Sequence, residues 1–175
     1  YVGTSTSPGV KVLERSSGSH IGEIATNAAV QAVPAMNEGI MYVADIAGTV
    51  YAYDINKQET IWEKKTNTPI MSELIIVEES IVFTNVNNTI YRLSLDGGLL
   101  WRYQYEPSVS RAKELNIFGS SSPYIDSDSL IVGFSDGAVE KLSLDTGTPQ
   151  KKVWIGAGRY PDIVSKIAAT DSVII

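Results

Sequence analysis

The sequence contains no cysteine and only one histidine, His20. The lack of cysteine excludes disulfide scaffolds, thiolate catalysis and Cys-ligated zinc or iron–sulfur sites. A single histidine cannot form a His-based metal cluster, and a Ser-His-Asp triad would need a carboxylate to hold it. Because His20 stands in "SSGSHIGE", a segment with turn character, we expect an exposed loop histidine.

Long apolar runs and clusters of basic residues are also missing. No run approaches the roughly 20 residues that a membrane helix needs. The 175 residues carry a net charge of -6 without a dense Lys/Arg cluster, which argues against a nucleic-acid surface. With 43% hydrophobic and 19% charged residues, the composition is that of a globular protein with a real core. The missing cysteine does not identify the compartment.

A repeat of about 40 residues organises what is present. "GTVYAYDINKQETIW" begins at Gly48, "NTIYRLSLDGGLLW" at Asn88, and "GAVEKLSLDTGTPQ" at Gly137. Gly48 and Asn88 are 40 residues apart, whereas Asn88 and Gly137 are 49 apart, so one unit contains an insertion. The extra residues fall in "EPSVSRAKELN", a polar stretch without strand alternation. This periodicity is typical of a repeat architecture.

Each unit has the pattern of about four short antiparallel strands. Runs that alternate with period two indicate half-buried strands, and Asn-Asn, Asp-Gly and Gly-Gly pairs indicate hairpins. No segment has a convincing 3.6-residue apolar stripe, so we expect little helix. Four strands every 40 or so residues predict an all-β fold, a β-propeller of four-stranded antiparallel blades.

Two tryptophans recur near the end of the last strand of a unit. Trp62 and Trp101 are 39 residues apart. We interpret both as structural residues that fill the gap between adjacent blades, because an indole buries a large apolar area.

The blade count leaves two possibilities. We predict a single propeller domain over 1–175, with a part blade at 1–29, blades at 30–67 and 68–108, a blade with an inserted loop at 109–161, and the start of another at 162–175. The two partial ends could pair into a fourth blade, since a propeller must close or expose edge strands. The alternative, which we favour, is that these four blades' worth belong to a propeller of seven or eight blades.

The strand–turn–strand segments "YAYDINKQETIW", "LSLDGGLLW" and "LSLDTG" resemble the quinoprotein-like (PQQ-type) propeller repeat. The resemblance extends over essentially the whole chain, but proteins of very different function share this repeat. A quinoprotein dehydrogenase would resemble a larger chain, with a Trp platform, a vicinal disulfide and Ca²⁺. A chain without cysteine does not match that pattern, and we expect no cofactor and no metal.

The segment from Leu115 to Ile175 is similar to the BamB family, eight-bladed lipoproteins of the outer-membrane β-barrel assembly machinery. That family has a Leu-x-Leu-Arg-Gly loop leading into Ser-x-Pro, then Gly-x-x-Asn/Asp-Gly, and an Asp-x-Asp in the next blade. The matching residues are Leu115, Ile117, Gly119, Ser121, Pro123, Asp136, Gly137 and Asp162. Phe118 stands where the family often has Arg, and Val164 replaces the second acid.

The resemblance implies a role and a location. In the family the two loops lie together and contact a periplasmic POTRA domain of BamA, so Leu115, Ile117, Phe118 and Asp162 are the expected partner-binding residues. The two departures predict a contact that is more apolar or simply different. The family also implies the periplasmic face of the outer membrane, with a lipid anchor outside this sequence. From the residues alone, the apolar side chains of "RAKELNIF" could equally fold back over the propeller.

Three functions remain open at this stage. The leading hypothesis is a non-enzymatic scaffold that binds a partner protein through loops between blades. The alternatives are a quinoprotein enzyme or small-ligand binder, and a sensing or adhesion module at the cell surface. "DSDS", from Asp126 to Ser129, has alternating oxygen ligands but lacks the rest of a calcium loop, so we interpret it as a hairpin turn.

Overall fold

The computed structural model describes residues 1–4, 6–107, 121–155, 163 and 167. The chain forms two compact units, Tyr1–Ile76 and Val77–Ile175. Every regular element within the described residues is a β-strand. In that part of the chain, no helix has the length and apolar character to cross a membrane.

The first unit contains two antiparallel sheets. The three strands of the first sheet lie in the order of the chain, and so do the four of the second. Their bounds are β1 (Val2–Gly3), β2 (Pro8–Leu13) and β3 (His20–Ala29), then β4 (Ala35–Asn37), β5 (Ile40–Ala44), β6 (Thr49–Asp54) and β7 (Glu59–Lys65). His20 is exposed and begins β3.

Two further four-stranded antiparallel sheets follow along the chain. The boundary between the units falls inside the first strand of the earlier one, and neighbouring strands are again consecutive in sequence. The strands are β8 (Ile75–Val77), β9 (Ser80–Thr84), β10 (Thr89–Ser94) and β11 (Leu99–Gln104), then β12 (Tyr124–Asp126), β13 (Ser129–Gly133), β14 (Ala138–Ser143) and β15 (Pro149–Trp154). The "DSDS" segment forms the turn between β12 and β13, where Asp126 pairs with Ser129. The predicted blade boundaries stay a prediction.

Burial decreases from the middle strands to the last strand of each four-stranded sheet. Every residue of β9 and of β13 is buried, whereas every residue of β15 is exposed. Short continuous apolar runs such as "SIVFT" and "SLIVG" are what a strand covered on both faces requires. In the second unit, side chains of β9, β10 and β11 form one core cluster with those of β13 and β14.

The residues on which the repeats align share one backbone conformation. Gly48, Asn88 and Gly137 have φ of 82°, 59° and 83°, in the left-handed region that glycine and asparagine adopt most readily. At Gly48, a Cβ would also lie 2.4 Å from the backbone nitrogen of Thr68. The repeat therefore begins where a tight turn leads into its third strand.

A β-bulge recurs in the last strand of every sheet. The pairing shifts by one residue between Ala52 and Tyr53, and again between Arg92 and Leu93. The same shift occurs in the first and fourth sheets. The extra residues are Ile21, Ile61, Leu100 and Gln150. Bulges bend and twist an edge strand, which hinders pairing with another chain.

Candidate functional site

The predicted partner-binding residues Leu115, Ile117, Phe118 and Asp162 lie outside the described residues. They belong to two connections, 108–120 and 156–162, whose flanking residues the structure does describe. The first connection joins β11 to β12, and the second follows β15. The residues that hold their ends therefore define the candidate site.

A single turn between β13 and β14, residues Gly133–Gly137, holds the ends of both connections; we call it the anchor turn. Ser121, directly after the first connection, donates its backbone N–H to the Gly133 carbonyl at 2.9 Å. Its hydroxyl accepts the Gly133 N–H, also at 2.9 Å. Ser121 is fully buried, so these two bonds are shielded from water.

The second connection is bonded to the same turn at both of its ends. The Ile155 N–H donates to the Gly137 carbonyl at 3.0 Å. The Ile163 N–H donates to the Phe134 carbonyl at 3.4 Å. The Ile163 side chain packs directly over Gly133, where a Cβ would lie only 2.4 Å from its Cγ2. Gly133 thus permits a close approach that a larger residue would block.

Tyr105, three residues before the first connection, contacts the anchor turn. Its ring stacks on Phe134, with centroids 3.7 Å apart and 6° between the planes. Its hydroxyl donates to Asp136 Oδ2 at 2.7 Å. Burial raises the pKa of the Tyr105 hydroxyl above its usual value, and the hydrogen bond to Asp136 raises it further. The phenol therefore stays protonated and keeps donating.

Charged and aromatic groups extend this cluster along β14 and β15. Glu140, only 4% exposed, accepts the Tyr103 hydroxyl at 2.7 Å and lies 3.4 Å from Lys152 Nζ. The Lys152 ammonium lies 4.3 Å from the ring centroid of Tyr105 and 4.9 Å from that of Trp154. Burial raises the pKa of Tyr103, and Glu140 adds to the increase. The Glu140 carboxylate thus lies beside the Lys152 ammonium, which also contacts aromatic ring faces.

The structure gives the two recurring tryptophans different environments. Trp101 is 9% exposed, lies in the core of the second unit and donates its indole N–H to the Leu144 carbonyl at 2.8 Å. Trp62 is half-buried against Tyr42, with ring centroids 6.0 Å apart. Each directly follows the bulged residue of its strand, so the bulge sets the direction of the indole.

Trp154 was not singled out from the sequence, and it does not occupy the position of the other two. Lys151 pairs with Lys141 at the place where Trp101 pairs with Arg92. Trp154 lies three residues further on, opposite Ala138, and is 48% exposed. In the sequence, Trp154 follows Trp101 by 53 residues instead of 39, and this spacing indicates that it does not occupy the repeated position.

The side chains around the anchor turn form a hydrogen-bonded cluster of aromatic and charged groups. Among the residues that the structure describes, no group of three or more His, Cys, Asp or Glu is placed to hold a metal ion. The acidic residues of the cluster are engaged by Tyr103, Tyr105 and Lys152. The arrangement attaches four flanking residues to one turn: Tyr105, Ser121, Ile155 and Ile163.

This fold and site define a class: a β-propeller of PQQ-like repeats whose loops are mounted on the blades. A family profile described as outer membrane protein assembly factor BamB matches residues 7–172. The chain belongs to this family. No curated protein sequence is significantly similar to the chain.

Solved structures share the fold at low sequence identity. BamB from Moraxella catarrhalis superposes with a TM-score of 0.74 at 16% identity, covering 99% of this chain and 56% of that one. The computationally designed Ika8 protein gives 0.70 at 15% identity, covering 94% and 48%. Quinohemoprotein alcohol dehydrogenase from Comamonas testosteroni gives 0.62 at 15% identity, covering 77% and 23%. The chain thus spans about half the length of the first two, and the predicted all-β blade fold is confirmed.

Proposed function

We propose that the chain is a non-enzymatic scaffold that binds a partner protein through the connections 108–120 and 156–162. The partner is a POTRA domain of BamA type, and the setting is outer-membrane β-barrel assembly at the periplasmic face, with no cofactor. The anchor turn carries this proposal, because it brings the ends of both connections to one rigid point. Family membership supports it, since the family is described as an outer-membrane assembly factor.

The physical basis is the division between scaffold and loop. Loops mounted on a rigid framework lose less conformational entropy on binding, because their ends are already fixed. The resemblance to the family implies that apolar contacts come from Leu115, Ile117 and Phe118 and that a charge comes from Asp162. Replacement of an Arg by Phe118 predicts that binding to a POTRA domain is less salt-dependent than a charge-dominated contact would be.

A binding experiment with purified POTRA domains tests the proposal. The double variant Leu115→Ala/Phe118→Ala and the single variant Asp162→Asn should each weaken binding by about tenfold or more, as the loss of central interface residues does. The matched controls are Ile61→Ala/Leu100→Ala, which removes two exposed apolar side chains from outer strands, and Asp145→Asn in an exposed turn. Both controls should bind as the unmodified chain does.

Two results would contradict the proposal. One is binding that survives both loop variants unchanged, or that falls equally in the controls. The other is saturable heat when pyrroloquinoline quinone and Ca²⁺ are titrated into the chain, which would favour a quinoprotein activity. A scaffold should give no such heat.

A further inference from the structure

Gly22 occupies the position at which two other sheets place a tryptophan. In each sheet, one residue directly follows the extra residue of the bulge in the last strand. In the first sheet the extra residue is Ile21, and the residue that follows it, opposite Val12, is Gly22. In chain order, the residues at this position are Gly22, Trp62, Trp101 and Lys151. The first sheet therefore has no side chain where the second and third sheets have an indole.

Neither the backbone nor its neighbours require glycine at position 22. Gly22 lies outside the left-handed region of φ, so an ordinary residue could adopt its conformation. The nearest atom to a Cβ placed there would be Val12 Cβ, at an ordinary contact distance of 3.8 Å. At Gly48 and Gly133, by contrast, a Cβ would lie 2.4 Å from a neighbouring atom. The consequence of glycine at position 22 is thus free space above the strand.

A cavity of about 190 Å³ lies beside Gly22 in the first unit. It is lined from the first sheet and from the end of the third strand of the second sheet, where the residues that matter here are Val12, Gly22, Ile24, Tyr53, Ile55 and Gln58. Several of these side chains also pack in the apolar core between the two sheets. The walls of the cavity are therefore part of the packed structure.

The size and opening of the cavity suit one small ring system. An engineered apolar cavity of about 150 Å³ binds benzene, so a cavity of about 190 Å³ can hold one or two fused rings. Tyr1 and Ile21 also line the cavity and are 43% and 64% exposed. The cavity is therefore open to solvent, and a ligand can enter without unfolding of the sheets.

Trp101 shows what fills the corresponding gap in the second unit. Its indole N–H donates to the Leu144 carbonyl at 2.8 Å. Its ring lies close against Gly147, where a Cβ would be only 2.7 Å from the ring atoms. This position of the repeat thus takes a planar aromatic ring with one hydrogen-bond donor.

Ile55 and Gln58 correspond to Leu144 and Gly147. Ile55 directly follows β6 as Leu144 follows β14, and each donates its N–H to the residue before the second strand of its sheet, at 3.0 and 2.8 Å. Gln58 and Gly147 are three residues further on, with φ of 58° and 68°. The large and small residues have therefore changed sides: Trp101 faces Gly147 in one unit, whereas Gly22 and Gln58 line the same cavity in the other.

We propose that this cavity, the Gly22 cavity, binds a small aromatic molecule of one or two fused rings that carries one N–H or O–H donor. Val12, Ile24 and Tyr53 supply apolar walls, as the ring requires. The Ile55 carbonyl, which corresponds to the acceptor of the Trp101 indole, and the Gln58 amide supply acceptors for the donor. The proposal does not depend on the proposed function, because every residue that carries it belongs to the first unit.

Calorimetric titration of the full chain with indole tests the proposal. We expect saturable binding with a dissociation constant in the millimolar range or below, as for other ligands of this size. Gly22→Trp places the indole of the repeat in the cavity, and Gly22→Val fills part of it. Each should weaken indole binding by about tenfold or more, since one methylene changes the affinity of an apolar pocket by roughly that factor. Gly22→Val keeps the test valid if the larger side chain prevents folding.

Ala25→Trp is the matched control, because Ala25 is exposed on the same strand and does not line the cavity. It adds the same side chain and should leave indole binding unchanged. Nuclear magnetic resonance should locate the ligand, with shift changes on adding indole that are largest at Val12, Ile24 and Ile55.

Two further ligands define the chemistry. Benzofuran has the shape of indole with an oxygen in place of the N–H, and it should bind about threefold more weakly or worse. N-acetyltryptophanamide carries the same ring on a peptide backbone. If it binds as indole does, the ligand class extends to tryptophan side chains of peptides; if indole alone binds, the class is restricted to free molecules.

The proposal is overturned if indole gives no saturable heat, if both Gly22 variants bind indole as the unmodified chain does, or if Ala25→Trp weakens binding equally. Shift changes confined to other residues would overturn the location. Equal affinity for benzofuran and indole would overturn the assigned hydrogen bond.

Discussion

Arg92 and Trp101 lie opposite each other on β10 and β11 and donate hydrogen bonds to the same acceptor, the Leu144 carbonyl. Arg92 Nη1 and Trp101 Nε1 each lie 2.8 Å from that oxygen. A carbonyl oxygen has two lone pairs, so both donors are satisfied at once. Leu144 follows β14, and the shared acceptor therefore joins two successive sheets of the second unit through buried polar bonds as well as apolar packing.

Trp101→Phe should destabilise the chain more than Trp62→Phe. The first change removes a buried indole and its hydrogen bond, but Arg92 still satisfies the Leu144 carbonyl, so we expect a loss of about 1–2 kcal/mol. Trp62 is only half-buried, and its replacement should cost under about 1 kcal/mol. Urea denaturation of both variants gives the comparison. Equal losses would show that the indole bond to Leu144 contributes little.

Arg92→Met should cost far more stability than Glu78→Gln, although the two residues form one ion pair. Their side chains are 7% and 69% exposed, so water can solvate Glu78 when its partner is removed. Arg92→Met also removes donors to the Ser80 hydroxyl and the Leu144 carbonyl, and we expect a loss of about 1–3 kcal/mol. Glu78→Gln keeps a side-chain oxygen that can accept from Arg92 Nη2, and the guanidinium keeps its bonds to Ser80 and Leu144, so we expect the smaller loss, about 1 kcal/mol. Similar losses in a guanidinium chloride titration would contradict this asymmetry.

The free energy of unfolding should fall at alkaline pH, because the Tyr105 hydroxyl then loses its proton. Its pKa in the folded chain is raised above the ordinary value of 10.0, so the unfolded chain releases this proton first. The stability from this group is complete below about pH 10. It then falls as the pH rises toward the folded-state pKa, by up to about 1.4 kcal/mol per pH unit.

The free energy of unfolding, measured from pH 8 to 11.5, should decline less steeply in Tyr105→Phe than in the unmodified chain. Trp101→Phe lowers stability without removing a titrating group and should keep the original slope. Identical slopes in all three chains would be inconsistent with a buried, donating Tyr105 hydroxyl.

The strands could be predicted from the sequence because their signals are local. Alternating and continuous apolar runs, with glycine or asparagine at the turns, identified the sheets near Gly48, Asn88 and Gly137. The bulges could not be predicted in this way. An extra residue such as Leu100 moves the alternating apolar pattern by one position, and the preceding hairpin turn interrupts that pattern at the same place. That shift also determines which way Trp101 points.

The candidate site could be predicted only in part, since its contacts join residues far apart in sequence. Tyr105 and Asp136 are 31 residues apart and each is ordinary in its own segment. The signal was present in the repeat alignment, where Phe134 replaces the acidic or amide residue of the other turns. The meaning of this replacement depends on the fold, in which the Asp45 and Asn85 side chains accept backbone N–H groups of their own turns. The predicted roles of Leu115, Ile117, Phe118 and Asp162 stay predictions.

Deleting the bulged residue Leu100 should promote self-association. The deletion makes β11, which lies at the edge of its sheet, regular, and regular edges offer unpaired N–H and C=O groups to a second chain. Leu100→Ala is the control, because it removes apolar surface, 52% exposed in the unmodified chain, while keeping the bulge. Sedimentation velocity should show dimers or larger species for the deletion alone. If Leu100→Ala associates as strongly, the bulge is not the protecting feature.

Gly133→Ala should destabilise the anchor turn, and Ile163→Ala should rescue it. The new Cβ would lie 2.4 Å from Ile163 Cγ2, an overlap that typically costs about 1–3 kcal/mol. Ile163→Ala removes the Cγ2 contact and leaves only the Ile163 Cβ at 2.9 Å, so part of the loss is recovered. The double variant should be more stable than the sum of the single changes by about 0.5–3 kcal/mol. Gly22→Ala is the control, since its nearest neighbour, Val12 Cβ, would be at an ordinary 3.8 Å. Additive losses at Gly133 and Ile163 in urea denaturation would mean that Ile163 does not pack on the turn.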